Sequence, residues 1–467
     1  MLYSKRTKEE LEAAENMLSP IFGARDMMHP APKYTLPRES MPPRNAYQLV
    51  HDELMLDGNS RLNLATFVTT WIEPEAVQLM SETFDKNMID KDEYPQTAEI
   101  EMRCVNIIAD LFNARSDRGE DACGCSTIGS SEAAMLCGMA MKWNWRKKRQ
   151  AQGKDTSRPN FVTGSDVQVC WEKFAVYWDI ELRHAPMKKE NGYRVAMEDL
   201  VALCDENTIG VLGILGTTYT GEYQEIEKLD RLMEEYNART GHDIPIHVDA
   251  ASGGFVAPFL DPDLKWDFRL KWVKSINVSG HKFGLVAPGV GWALWRDWSV
   301  LPEELIFHVN YLGGDMPTFA LNFSRPGSQV IAQYYNFVRL GFEGYRNIHR
   351  ASLDVVMKLA ELVEKSEIGE VVLDDIKMPL LSFKLKDDSV DFTVYDISDR
   401  LRRYGWQVPA YTLAEGCEDV SILRIVAKEG FSYDLASLLV KHIKEVVDEL
   451  KAEFPRRVEP STNPKIC

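Results

Sequence analysis

The chain of 467 residues contains few of the features that mark metal proteins, membrane proteins and nucleic-acid binders. Its nine histidines are dispersed and its eight cysteines have no Cys-x-x-Cys spacing, so we predict reduced thiols and no metal site. No uncharged stretch approaches the ~20 residues that span a bilayer, and the charged first residues lack the apolar core of a signal peptide. We therefore expect a cytoplasmic protein with no integral membrane segment.

Several common ligand-binding signatures are also missing. The chain has no Gly-x-Gly-x-x-Gly segment that opens a helix after a strand, no Walker loop and no His-Glu-x-x-His. Its formal charge of -17 opposes nonspecific attraction to nucleic acid, and we predict no nucleic-acid partner. A hydrophobic content of 45% is that of an ordinary folded protein, and the length allows two or three structural units.

Residues 100 to 300 alternate between helical patterns and short β-branched segments, which predicts a mainly parallel sheet with crossover helices. The strands predicted there are Asn160–Thr163, Ile209–Leu215, Ile244–Val248, Ser275–Val278 and Val290–Trp295, and the helices are 131–148 and 225–238. A long helical connection over 330–365 follows. The segments Leu380–Leu385, Val394–Tyr404, Ser421–Val426 and 433–453 then predict strand, helix, strand and helix, which is typical of a smaller α+β domain.

The N-terminal part has a different character. Residues 7–18 predict a short helix with a capping box, which either packs on the body of the protein or a partner subunit or forms a free arm. The proline-rich residues 29–46 predict an extended strap. We therefore divide the chain into an N-terminal helical arm and strap over 1–60, a large domain over 61–345 and a small C-terminal domain over 346–467.

Two polar residues that follow predicted strands are candidates for binding a cofactor. Lys282 follows an apolar, strand-like segment and a small-residue turn, and Asp249 ends another strand-like segment 33 residues upstream. Lys282 taken alone is more simply a surface lysine, and Asp249 taken alone can cap a turn. Taken together, an amine for an aldehyde and an anion for a ring nitrogen are the two groups that pyridoxal phosphate requires.

A possible phosphate site precedes the helix predicted over 131–148. The segment Thr127–Ala134 places a Gly-Ser-Ser turn directly before that helix, where free backbone N–H groups and the hydroxyls of Ser130 and Ser131 can bind an anion. The turn alone is more simply a helix cap without a ligand. Ser279, three residues before Lys282, offers another hydroxyl and favours the phosphate interpretation.

These motifs together resemble those of the group II decarboxylases that depend on pyridoxal phosphate, and most closely those of glutamate decarboxylases of the bacterial and plant type. The resemblance extends from Asp52 to Phe431. Its most specific motifs are Arg61–Phe67, Asp92–Pro95, Thr127–Glu132, Val167–Phe174, Thr218–Gly221, His247–Gly254, Ser279–Lys282 and Asn322–Pro326. Gln168, where many related decarboxylases have histidine, points to the glutamate-specific branch.

The resemblance implies an α/β protein of the fold type I, aspartate aminotransferase-like class of pyridoxal phosphate enzymes. Its large domain would have a mainly parallel sheet, and its C-terminal domain would be a smaller α+β unit. The implied reaction converts L-glutamate to 4-aminobutanoate (GABA) and CO2 through a Schiff base on Lys282. It consumes one proton, which would suit acid resistance.

Individual site residues also follow from the resemblance. The implied catalytic residues are Lys282, Asp249, His281 and Tyr311, with Tyr311 as the proton donor. The implied cofactor residues are Ser130, Ser131, Gln168, Thr218, Asp249, Ala251, Ser279, His281, Lys282 and Ser324, the last from a partner subunit. The implied substrate residues are Thr66, Phe67, Asn87 and Asp90 for the side-chain carboxyl and Arg424 for the α-carboxylate. An aspartate facing a carboxyl requires a proton on one of them, so acid should favour turnover.

The resemblance further implies a homodimer or larger homo-oligomer with sites shared between subunits. The tail over 461–467 has no histidine, so the neutral-pH shut-off of some bacterial relatives is not expected. It also lacks the tryptophan-containing basic helix of plant enzymes, so we predict no calmodulin binding. Two rival functions stay open: decarboxylation of aspartate or an aromatic amino acid, and a non-catalytic binding or scaffold role. The intact lysine, aspartate and serine set argues against the second.

Overall fold

The computed structural model describes residues 32–114, 121–309, 316–387 and 390–454. The helix predicted over 7–18 and the C-terminal tail lie outside these residues. The chain divides into two compact units, Met1–Leu62 and Asn63–Cys467. Helices of the described residues are either too short or too polar to serve as a membrane span.

Helices and strands alternate along most of the described chain. The α-helices are α1 (Pro43–Leu54), α2 (Pro74–Glu82), α3 (Pro95–Leu111), α4 (Ser130–Ala151), α5 (Val169–Tyr177), α6 (Met197–Ala202), α7 (Ile226–Thr240), α8 (Ala257–Leu260), α9 (Ser328–Lys365), α10 (Val394–Leu401) and α11 (Tyr433–Glu453). The strands are β1 (Gly124–Thr127), β2 (Asn160–Gly164), β3 (Glu181–Ala185), β4 (Met187–Lys188), β5 (Arg194–Val195), β6 (Thr208–Ile214), β7 (Ile246–Asp249), β8 (Val273–Ser279), β9 (Gly291–Trp295), β10 (Phe307–Val309), β11 (Met316–Thr318), β12 (Gly369–Val371), β13 (Leu380–Leu385), β14 (Ala410–Thr412) and β15 (Ser421–Val426).

The strap predicted over 29–46 is wrong at its C-terminal end, because Pro43 begins helix α1. Proline fits the first turn of a helix, since its missing N–H would have no helical partner there and its fixed φ already suits the helix. Residues 32–42 contain neither helix nor strand.

A seven-stranded sheet forms the centre of the second unit, with the strand order β1-β9-β8-β7-β6-β2-β3. Strands β8, β7, β6, β2 and β3 run parallel, and β9 runs antiparallel to both β8 and β1. All residues of β6 and β7 are buried, as expected for parallel strands covered on both faces. The predicted mainly parallel α/β fold is confirmed.

A four-stranded antiparallel sheet in the order β12-β13-β15-β14 follows α9. Helices α9 and α10 pack against this sheet, and α11 packs against both helices. This arrangement is the α+β architecture expected for the C-terminal region. The predicted boundary between residues 345 and 346 falls inside α9 and stays a prediction.

The strands that carry Asp249 and Lys282 lie side by side. Strands β7 and β8 are parallel neighbours in which Asp249 pairs with Asn277, so their carboxyl ends share one edge of the sheet. Strand β1 runs in the same direction as β8, because β9 is antiparallel to both. The start of α4 therefore reaches the same edge, which is where open α/β sheets bind ligands.

Candidate active site

A cavity of about 200 Å³ opens at this edge of the sheet. Nine of the ten predicted cofactor residues line it: Ser130, Ser131, Gln168, Thr218, Asp249, Ala251, Ser279, His281 and Lys282. The tenth, Ser324, lies elsewhere and accepts a hydrogen bond from Asn87 Nδ2 at 3.3 Å. Segments separated by more than 150 residues in the sequence thus meet around one small space.

Lys282 projects into this cavity from the turn after β8. Its Nζ donates a hydrogen bond to Ser252 Oγ at 3.1 Å and lies 5.1 Å from the centroid of the Phe67 ring. Burial lowers the pKa of Lys282, while the negative charge of Asp249 acts in the opposite direction. A lowered pKa increases the share of neutral amine, which is the form that attacks a carbonyl carbon.

The carboxylate of Asp249 is held by three donors. Oδ1 accepts hydrogen bonds from Asn277 Nδ2 at 2.9 Å and from the backbone N–H of Ala251 at 3.0 Å. Oδ2 accepts one from Trp171 Nε1 at 2.9 Å. These three donors fix the direction of the carboxylate.

A buried histidine continues this network behind Asp249. His247 Nε2 lies 2.7 Å from Asn277 Oδ1, and its Nδ1 lies 2.7 Å from Ser275 Oγ. Burial lowers the pKa of His247 to about 4, so the ring is neutral near pH 7. Because the Asn277 oxygen can only accept, Nε2 carries the proton and Nδ1 accepts from the Ser275 hydroxyl. In this series of hydrogen bonds, Ser275 donates to His247, His247 donates to Asn277, and Asn277 donates to Asp249.

The Gly-Ser-Ser turn opens α4 on another side of the cavity. A Cβ at Gly291 would lie 2.5 Å from Gly129 C and 2.6 Å from Ser130 N, so only glycine lets β9 approach this turn. The hydroxyl of Ser279 is buried and has no hydrogen-bond partner among the described residues. His281 Nδ1 donates to the carbonyl of Val290 at 3.0 Å, which leaves its Nε2 available.

Comparison with known proteins decides the family. The family model described as the pyridoxal-dependent decarboxylase conserved domain matches residues 35–386. The chain belongs to this family.

Curated relatives cover nearly the whole chain. A glutamate decarboxylase from Aliivibrio fischeri is 55% identical over 439 residues, which are 93% of this chain and 93% of the relative. One from Lactococcus lactis subsp. cremoris is 53% identical over 98% of both chains, and glutamate decarboxylase 5 from Arabidopsis thaliana is 52% identical over 95% of this chain and 90% of its own. The solved structure of a Lactobacillus brevis glutamate decarboxylase has a TM-score of 0.88 and 50% identity, and covers 93% of this chain and 98% of that one.

Pyridoxal phosphate is the cofactor of this decarboxylase family, and the cavity has groups that fit each part of it. An amine and a fixed carboxylate suit the aldehyde and the ring nitrogen. The N-terminus of α4 with its serine hydroxyls suits a phosphate dianion. The buried hydroxyl of Ser279 without a partner is a further donor that a phosphate oxygen would satisfy.

Arg424 and Phe67 lie near Lys282, although neither is among the residues that line the cavity. Arg424 is only 7% exposed, and its Nη1 donates to the Thr218 carbonyl at 2.8 Å while its Nη2 bonds to the carbonyl of Ala65. Its Cζ lies 4.8 Å from the centroid of the Phe67 ring, and its Nε is buried without a partner among the described residues. Lys282 and Arg424 therefore lie on the same aromatic ring.

The other predicted substrate residues are less closely grouped. Thr66 neighbours Phe67, and its hydroxyl accepts a hydrogen bond from the Val68 N–H at 3.1 Å. Asn87 and Asp90 do not line the Lys282 cavity; Asn87 Oδ1 accepts from the Arg325 N–H at 3.0 Å. Tyr311 lies outside the described residues, and its role as proton donor stays a prediction.

Trp171, His247, Ser252 and Asn277 belong to the site and were not predicted individually. All of them belong to motifs quoted for the resemblance or to the segment that contains Lys282, so their positions were indicated. The strand period gave a further signal, because His247 and Asp249 are two residues apart and share one face of β7. Their hydrogen bonds depend on the register between β7 and β8, which sequence patterns do not specify.

Proposed function

We propose that this protein decarboxylates L-glutamate to 4-aminobutanoate and CO2, with pyridoxal phosphate held on Lys282. The observation that carries the proposal is the meeting of Lys282 and Asp249 in one cavity at the carboxyl edge of the sheet. Relatives that are 50–55% identical over most of the chain are named glutamate decarboxylases, which supports the choice of substrate.

The lining of the cavity supports the cofactor contacts that we propose. Lys282 would hold the aldehyde carbon and Asp249 the ring nitrogen. The phosphate would be bound by the α4 N-terminus and four side chains: Ser130, Ser131, Ser279 and His281. Gln168 and Ala251 would cover the two ring faces, with Thr218 beside the 3-hydroxyl.

When bound, pyridoxal phosphate supplies an electron-accepting ring that stabilises the charge left when CO2 departs. Asp249 would keep a proton on the ring nitrogen, and three hydrogen-bond donors hold its carboxylate in one direction. His281 would serve as both a phosphate contact and a catalytic residue next to Lys282. Tyr311 would return a proton to the substrate carbon.

Substrate selection would rest on two groups of residues. The guanidinium of Arg424 is held by two backbone carbonyls and has an unpartnered Nε, which suits a planar carboxylate such as the α-carboxylate of glutamate. Thr66 and the backbone of Phe67, with Asn87 and Asp90, would meet the side-chain carboxyl.

The protein would act as a homodimer or a larger homo-oligomer with sites shared between subunits. Asn87 and Ser324 bond to each other outside the Lys282 cavity, which supports a role in the site of a partner subunit. Mixing Lys282→Ala subunits with Ser324→Ala subunits should restore activity if each variant supplies what the other lacks.

A cytoplasmic location is part of the proposal. The seven cysteines among the described residues are free thiols, as in proteins of a reducing compartment. Proton consumption in that compartment would fit a role in acid resistance.

The decisive experiment is CO2 release from glutamate by the unmodified protein and by Lys282→Ala. We expect the variant to lose both turnover and covalent cofactor attachment, measured by intact mass after borohydride reduction. Lys271→Ala changes an exposed lysine just before β8, and this control variant should keep both turnover and covalent cofactor attachment. Persistent turnover in Lys282→Ala would overturn the mechanism. Equal CO2 release from aspartate or tyrosine would overturn the substrate, and a protein without cofactor absorbance would favour the non-catalytic role.

A further inference from the structure

A second buried carboxyl, that of Asp166, lines the cavity of Lys282. Asp166 lies on the loop after β2 and is 1% exposed. Gln224 Nε2 donates to both of its oxygens, at 3.2 Å to Oδ1 and 3.1 Å to Oδ2. The hydrogen-bond partner of this carboxyl group is therefore a neutral amide rather than a cation. No positive charge from this partner favours loss of the carboxyl proton.

Gln224 separates this cavity from an outer groove. Its Oε1 accepts a hydrogen bond from the Ile214 N–H at 2.9 Å, and its own N–H donates to the Ile214 carbonyl at 3.1 Å. These bonds fix the amide with its NH2 group toward Asp166. Gln224 also lines a groove of about 790 Å³ on the outside, together with Glu222 and Arg194.

Glu222 stands between the groove and the cavity. It is 5% exposed, its Oε1 lies 3.7 Å from Arg194 Nε, and its Oε2 is buried without a hydrogen-bond partner among the described residues. Its carbonyl accepts hydrogen bonds from the N–H groups of Gly216 at 2.9 Å and Thr217 at 3.0 Å, and Gly216 lines the Lys282 cavity. An unpartnered, buried carboxyl oxygen is less costly when the group carries a proton.

The charges around the two acids are consistent with proton storage. Burial raises the pKa of Asp166 to about 6 and that of Glu222 to about 8, and the charge of Asp166 raises the latter further. Gln224 is the hydrogen-bond donor to Asp166. The pKa of Tyr219 is also raised, first by burial and then by the negative charge of Asp166. Glu222 faces Arg194, which lowers its pKa, and Glu225, which raises it. Both shifts favour the protonated form of these carboxyl groups.

We propose that Glu222 and Asp166 form a proton relay from the outer groove to the Lys282 cavity. The proposal rests on the proposed function, because decarboxylation uses one proton per turnover. The C–C bond to the leaving carboxylate breaks, CO2 departs, and a proton forms a new C–H bond at the same carbon. Asp166 restores the proton taken from the cavity, Glu222 restores that of Asp166, and solvent in the groove reprotonates Glu222.

The test uses the holoenzyme of the unmodified protein, Asp166→Asn and Glu222→Gln, assayed with glutamate from acid to neutral pH. We expect kcat to fall about 100-fold in each variant, the lower end of the effect of losing an acid–base group, while KM changes little. Formate, a small acid that can diffuse into the cavity, should restore kcat in proportion to its concentration. The solvent isotope effect on kcat should rise as proton delivery becomes slow.

Two further variants sharpen the result. In the double variant kcat should fall no further than in Asp166→Asn, because two steps in series are both lost. Glu227→Gln removes an exposed carboxylate from the same groove and should leave kcat and the isotope effect unchanged. Unchanged kcat in both single variants would overturn the relay. Losses that add in the double variant and that formate does not restore would also overturn it.

An independent readout does not depend on turnover. Infrared titration of the unmodified protein should show a protonated carboxyl band that persists above pH 6 and disappears in Glu222→Gln; its presence in both proteins would overturn the assignment. If Asp166→Asn does not fold, Glu222→Gln with the formate titration decides alone. Failure of the proposed function would be distinguishable from failure of the relay, because the unmodified protein would then release no CO2 from glutamate.

Discussion

The indole N–H of Trp171 donates a hydrogen bond to Asp249 Oδ2 at 2.9 Å, although the two residues are 78 positions apart. The Trp171 ring also packs against the ring of His247, with centroids 5.0 Å apart, and His247 reaches Asp249 through Asn277. The aromatic core between α5 and the sheet therefore fixes the direction of the carboxylate. The orientation of Asp249 in the site therefore depends on residues that lie behind the cavity.

Trp171→Phe tests that dependence, because it removes the indole N–H and keeps an aromatic ring. We expect the free energy of unfolding in urea to fall by about 1.5–3 kcal/mol, the usual contribution of a hydrogen bond to a charged group. The dissociation constant of pyridoxal phosphate should rise in the same variant. In Trp298→Phe, which removes a partly exposed indole bond to the Asp121 carbonyl, the cofactor constant should stay the same. Equal constants in Trp171→Phe and the unmodified protein would contradict this role.

Gly291→Ala should disturb the phosphate turn without changing any group that contacts the cofactor. Its methyl group would lie 2.5 Å from backbone carbon of Gly129, so β9 or the turn must shift. Such overpacking destabilises by about 1–3 kcal/mol, and we expect weaker cofactor binding in a spectroscopic titration. Gly213→Ala is the control, because its methyl group would meet the Ile226 side chain at 3.2 Å, which can move. Unaltered binding in Gly291→Ala would show that the turn tolerates displacement.

Sequence patterns predicted the elements of the fold well where apolar periodicity was strong. Strands β13 and β15 and helix α11 have the predicted limits, since long apolar patterns are bounded there by polar residues. Strand β1 was missed because Gly-Cys-Ser-Thr has no β-branched apolar residue to mark it. Helix α9 is interrupted at Gly341, where φ is +56°, a conformation that glycine tolerates.

Sequence predicted the residues that line the cavity better than those that support them. Lys282, Asp249 and the serines belong to compact motifs and could be named. Asp166 and Glu222 were not, because their significance lies in burial and in the bond from Gln224, which only the packed structure supplies. The signal for Asn87 and Asp90 was the resemblance alone, and the cavity does not include them.

The pH dependence of stability should include a contribution from His349, which is 1% exposed and lies among aromatic rings. Burial lowers its pKa to about 3, whereas an unfolded histidine titrates near about 6.5. The folded state is therefore favoured above pH 6.5, and this stability is lost as the pH falls toward 3, because only the unfolded chain then binds the proton.

His349→Gln should remove this contribution. Between pH 7 and pH 5 the free energy of unfolding in urea should fall by roughly 2 kcal/mol less in the variant than in the unmodified protein. Phe259→Leu changes a ring that packs on His349 and should lower stability at both pH values without altering the difference between them. The same pH dependence in His349→Gln and the unmodified protein would rule out the contribution.

Arg424→Lys tests the proposed contact between Arg424 and the α-carboxylate of the substrate. A lysine keeps the charge but cannot bond both the Thr218 and the Ala65 carbonyls and still present a planar edge to a carboxylate. We expect kcat/KM for glutamate to fall about 10- to 100-fold, mainly through KM, with cofactor absorbance unchanged. Arg403→Lys, an exposed arginine paired with Glu449, should leave both parameters unchanged. A loss of cofactor in Arg424→Lys would instead mean that the guanidinium supports the cofactor, because the Thr218 carbonyl it bonds belongs to the cavity lining.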